Sequence, residues 1–154
     1  VAGFADPTKP SVGDYLLFVR GHVGIPVSAL PDASIWLGTS FNVAMATVND
    51  ALNNANPTIY TLAVYNLGAD RLINFAIDEQ GQSYFTDLRR SMGLLSLASG
   101  LVSSSGDQGT NQSFEVIEAA KKMTINDIQL MRTPYGRAYL GFAQSYGPSI
   151  WGLT

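Results

Sequence analysis

Apolar residues recur at steps of three and four along most of the chain, the period of a helix with one face turned inward. After Ser11, a capping type, Val12, Tyr15, Leu16 and Val19 keep this spacing and predict a helix to about Arg20, before Gly21-His22-Val23-Gly24-Ile25-Pro26 interrupts it. Residues 1–10, with Pro7 and Pro10, read as a loosely ordered lead-in. A second helix is expected to open at Pro31-Asp32, with Leu37, Phe41, Ala44, Val48 and Leu52 on one face, and to close at Asn53-Asn54-Ala55-Asn56-Pro57. The third, from about Thr58 to Phe75, is different. Ile59, Leu62, Ala63, Leu67 and Leu72 make its stripe, but Tyr60, Val64, Tyr65 and Ile73 spread the apolar surface nearly all round. Such a helix is central in a bundle or shared with another subunit.

Past a turn at Asp78-Glu79-Gln80-Gly81, Phe85 to about Ser99 predicts a fourth helix, weakened by Gly93 and several serines. Residues 99–113 are Gly- and Ser-rich, either an open loop or a short hairpin pairing Leu101-Val102 with Phe114-Val116. Thr124-Ile125-Asn126-Asp127 resembles a capping box and starts a helix to about Arg132. Thr133 then caps a last helix with Pro134 at its first position, where a missing N–H costs nothing. Tyr135, Tyr139, Phe142 or Ala143, and Tyr146 mark its stripe, and Gly147-Pro148 stops it. Beyond lies an uncharged tail with Ile150, Trp151 and Leu153, which needs a surface to bury against, on its own bundle or on another molecule. The expected fold class is mainly α: a bundle of about four to five helices with a long Gly/Ser-rich loop or short β-hairpin and an extended C-terminal arm.

Composition narrows what this bundle does. Charged residues make up 14% of the chain, against about 25% in an average domain, so part of its surface is expected to be covered by copies or partners. Net charge is −3, with no basic cluster beyond Arg89-Arg90 and Lys121-Lys122, which argues against tight nucleic-acid binding through phosphates. Cysteine is absent and His22 is the only histidine, so neither a zinc site nor thiolate chemistry is expected, and no metal or cofactor. As a general base His22 lacks a visible nucleophile and orienting carboxylate, and reads as a solvated loop residue. The Gly-x-x-x-x-Gly-Lys loop and the Gly-x-Ser-x-Gly elbow are missing. Asp70, Asp78, Glu79, Asp87, Glu115, Glu118 and Asp127 are explained by solvated helix faces and turns, with Asp87–Arg90 and Glu118–Lys122 at pairing distance. The opening residues show neither a basic nor an apolar leader region, and no apolar run approaches the ~20 residues of a membrane span. A soluble protein made in a cytosol is the expectation.

In their order along the chain, four segments resemble the head–tail connector, or adaptor, proteins of tailed bacteriophages. They are Phe18-Val19-Arg20 with Leu30-Pro31-Asp32-Ala33-Ser34-Ile35, the helix segment Leu62 to Leu72, the loop Gly100 to Val116, and Thr133-Pro134-Tyr135-Gly136-Arg137-Ala138-Tyr139-Leu140. They are spread from Phe18 to Leu140, most of the length of the chain. It departs from many relatives in its longer uncharged tail after Gly147, and in Asn66 where a histidine is common.

The resemblance implies a non-enzymatic virion protein made in the host cytoplasm. Residues 1–146, loop 99–113 included, would be the bundle domain and 147–154 a docking arm. The domain would form a homo-oligomeric ring, commonly of twelve copies, beneath the portal protein and above a downstream tail or nozzle protein. Double-stranded DNA would pass through without specific binding, and no membrane is involved. The arm residues Tyr146, Pro148, Ile150, Trp151, Leu153 and Thr154 would dock on the portal. The loop residues Ser103, Ser104, Ser105, Asp107, Gln108, Thr110 and Asn111 would face the channel or a neighbour, and Asp107, in a stretch free of cations, would repel phosphates. The alternatives are another neck or tail-completion component, a small cell-wall hydrolase using two of the carboxylates, and a monomeric binding module.

Overall fold

The computed structural model describes residues 3–95 and 129–145. Six α-helices stand among them: α1 (Val12–Phe18), α2 (Ile35–Thr47), α3 (Asp50–Ala55), α4 (Pro57–Phe75), α5 (Tyr84–Ser91) and α6 (Pro134–Ser145). No strand occurs among the described residues. A mainly helical bundle is therefore what the chain forms.

Helix α4 is the axle. Asn56 caps it by accepting from the Thr58 and Ile59 N–H groups, and Pro57 takes the first position. Twelve of its residues are buried, among them Thr61, Asn66 and Asp70, so its apolar surface is used on nearly every side. Helices α2, α3, α5 and α6 all pack on it. At its C-terminal end the Arg89 guanidinium donates to the Ile73 and Ala76 carbonyls, a cation where the helix dipole favours one.

Several elements differ from their sequence patterns, each for a local reason. The single helix expected from Pro31 to Leu52 begins only at Ile35, with Ser34 as its cap, and breaks at Val48. Asn49 then caps α3 by accepting from the Ala51 N–H. Because the break preserves the spacing, Leu37, Phe41, Ala44, Val48 and Leu52 all remain buried. Helix α1 runs on into a π-helical turn at Val19–Val23, where the Gly24 N–H reaches back to the Val19 carbonyl. Helix α5 stops at Ser91 rather than Ser99, and Gly93 takes a φ of 70° just beyond it. Its cap comes from far upstream: the Asp78 carboxylate accepts from the Phe85 and Thr86 N–H groups and the Thr86 hydroxyl.

The lead-in is tied down rather than loose. The Asp14 carboxylate accepts from the Ala5 and Asp6 N–H groups, and Phe4 packs edge-on against Tyr65 at 5.2 Å. The loop after α1 is held by Arg20, which donates to the Ile25 and Leu30 carbonyls and pairs with Asp32 at 2.6 Å. The hairpin alternative, the helix start at Thr124, the Glu118–Lys122 pair, the loop residues 103–111 and the arm residues 146–154 lie outside the described residues.

Candidate functional site: the root of the C-terminal arm

Nearest to the expected docking residues 146–154, the structure describes helix α6 and the way it is fixed to α4. Thr133 stands at the helix start. Its Oγ1 accepts from the Gly136 N–H at 2.9 Å and donates to Asp70 Oδ1 at 2.5 Å, so one hydroxyl both caps α6 and ties it to the axle. Asp70 and Thr133 have no exposed surface.

Gly136 completes the joint. A Cβ there would lie 2.8 Å from Asp70 Oδ1 and closer still to the Leu130 carbonyl oxygen, so only a hydrogen lets the helix come this near. The buried face of α6 is accordingly Gly136, Leu140 and Ala143. The aromatic stripe expected to lead, Tyr135, Tyr139 and Phe142, is half-buried beside it. Steps of four and three fit both faces, and the glycine selects between them.

The electrostatics of the joint follow from its depth. Burial disfavours a charged carboxylate and pushes Asp70 from an ordinary 3.8 up to about 6. The hydrogen bond from Thr133 and the nearby Arg71 and Arg132 guanidiniums pull the other way, with Arg71 Nη1 3.6 Å from Asp70 Oδ2. Asp70 is thus no solvated acid on a helix face, as its spacing suggested. A carboxyl in an apolar setting is what a general acid requires, but Asp70 faces Thr133 and touches no solvent.

The other candidates for chemistry disperse. His22 is exposed, as a solvated imidazole should be, while its ring also lies 4.8 Å from that of Phe18 and edge-on to Tyr135. Asp78 is a cap, and Asp87 pairs with Arg90 at 3.2 Å on an exposed surface. Among the described residues no group of three His, Cys, Asp or Glu side chains comes together as a metal site, and no helix is long and apolar enough to cross a membrane.

Beside the root runs an open groove of about 550 Å³. Phe4, Leu17, Phe18 and Leu62 form its apolar walls, Ala138 and Phe142 of α6 close one side, and His22 and Asn66 bring the polar atoms. Asn66 donates its Nδ2 to the Leu62 carbonyl. No protein-family model, curated protein or solved structure matches the chain.

Proposed function

We propose that this chain is a structural adaptor of a tailed-phage neck. Copies of the bundle, commonly twelve, would form a ring under the portal and over a downstream tail or nozzle component, assembled in the host cytoplasm and carried in the virion. The work is assembly, sealing and passage of DNA, with no catalytic step. One observation carries the reading: the Thr133-Pro134-Tyr135-Gly136 motif on which the resemblance rests is the joint that fixes α6 to α4. An uncharged segment holding Ile150, Trp151 and Leu153 follows directly from that fixed root. A rigid root with an apolar, Trp-bearing extension suits an anchor, since buried Trp is a frequent hot spot of interfaces.

Two further features support it. Ile35 is 72% exposed and Ile77 64%, next in sequence to Trp36 and near Phe75, whose rings meet at 5.8 Å. Apolar surface of this kind fits lateral contact between copies in a ring. Asp107 and its neighbours, with no cation between residues 91 and 120, suit a wall that DNA slides past. The test is an image of the particle neck with this chain labelled. The adaptor reading expects a ring of label directly beneath the portal. Label elsewhere in the tail would make it another neck or tail component, and no label in the particle would refute the proposal.

A further inference from the structure

We propose that in the free protein the groove beside α6 is occupied by the chain's own segment 146–154, with Trp151 as the inserted side chain, so that the arm is parked before it meets any partner. The inference concerns the unassembled chain and goes beyond the adaptor reading.

Reach comes first. Phe142, on the groove wall, lies one helical turn before Ser145, and Ala138 about 10 Å back along the axis at ~1.5 Å per residue. Trp151 is six residues beyond Ser145, a span of up to ~20 Å when extended. Gly147-Pro148 is a helix-stopping, turn-forming sequence of the kind such a reversal needs.

Chemistry matches as well. The walls are aromatic and aliphatic, and residues 146–154 carry no charged side chain to desolvate. A buried indole still needs an acceptor for its N–H, and Asn66, which lines the groove and is 6% exposed, commits its Nδ2 to the Leu62 carbonyl and keeps its Oδ1 to accept. Proximity then decides between occupants. A segment joined by so short a linker is present at an effective concentration in the millimolar range, which a neighbouring copy in dilute solution does not approach.

Two measurements on the full chain test this. Trp36 and Trp151 are the only tryptophans, so Trp36→Phe leaves Trp151 as the sole reporter. Its emission is expected to be blue-shifted, and its acrylamide quenching several-fold below that of free indole, at every dilution. Leu17→Glu, at a groove position 43% exposed, is expected to restore full quenching while the helical circular dichroism stays. Independently, the chain has no cysteine, so Leu17→Cys with Leu153→Cys is expected to form a disulfide within one chain on oxidation. A freely quenched Trp151, shielding indifferent to Leu17→Glu, or linkage only between chains would overturn the proposal. Shielding lost on dilution together with a fall in mass would instead place the arm in a neighbour's groove. None of these outcomes bears on where the chain sits in a particle, which the labelled neck image decides.

Discussion

Two joints press on the same stretch of α4, and they are built in opposite ways. On one side α1 seats the ring of Tyr15 on Gly68, where an added Cβ would come within 2.9 Å of it. The Tyr15 hydroxyl meets that of Ser40 at 2.7 Å, and Phe41 and Tyr65 pack around the ring. On the other side α6 brings its own glycine, Gly136, against the carboxylate of Asp70. The first joint puts the small residue on the axle and the large one on the visitor, and burial pushes its phenol's pKa up, away from neutrality. The second reverses the sizes and places an ionisable group in the seam. One joint is indifferent to pH in the physiological range, and the other is not. The sensitive joint is the one that fixes α6, the helix that precedes residues 146–154.

The comparison breaks most completely at Gly136. A methyl there must displace backbone, the Leu130 carbonyl, rather than the end of a flexible side chain. Gly136→Ala is expected to cost more than about 3 kcal/mol, beyond ordinary overpacking, and to detach α6 from the bundle. Urea unfolding would register this as a large fall in midpoint, and a fall under 1 kcal/mol would mean the helices are further apart than described.

Next in size is the pH dependence. Asp70 holds its proton more tightly folded than unfolded, so the unfolded chain binds fewer protons between 3.8 and about 6. The stabilisation is complete below pH 3.8 and disappears as pH rises through 6, a decline of about 3 kcal/mol on the linkage relation. Asp6 and Asp78, whose pKa values are lowered by hydrogen bonds from Thr8 and from Thr86 and Phe85, pull the opposite way as pH falls below their ordinary value. The contribution of Asp70 is therefore read from the difference between wild type and Asp70→Asn, measured from pH 3.5 to 7.5. A difference that stays flat across that range would count against the buried acid.

The smallest change of the three is at the other joint. Gly68→Ala meets a ring edge, which tilts more readily than backbone moves, so about 1–3 kcal/mol is expected and the pH profile should keep its shape. Thermal melts at pH 5 and 7 would show parallel losses, whereas a loss confined to one pH would show that the two joints are coupled.

Much of this architecture was legible in the sequence. The all-round apolar surface of residues 58–75 and the Ser11 and Thr133 caps placed three helices and the centre of the bundle, whereas Asn56-Pro57 was read only as the end of the preceding helix and not as the cap of α4. The break at Val48 stayed hidden because α3 keeps the spacing of α2, so a period of three and four reads straight through it. Asp78 was legible as a turn but not as the cap of a helix six residues on, since that bond depends on how the turn folds back. Asp70 was misread as solvated. The available signal was its place on a helix apolar on every side, where an acid has no wet face to occupy. The groove was not legible, because it joins residues from four separate segments. The docking and loop residues named from the resemblance lie outside the described residues, and what the structure contributes is the fixed helix α6 that precedes residues 146–154.

Anchoring of the chain to a portal ring through residues 147–154, as proposed above, is checked by sedimentation. Full-length chain and chain lacking residues 147–154 are sedimented with portal rings from the same particle, after circular dichroism has shown both to be folded. The full-length chain is expected to travel with the rings and the shortened one to stay behind. Equal sedimentation of the two would contradict the account.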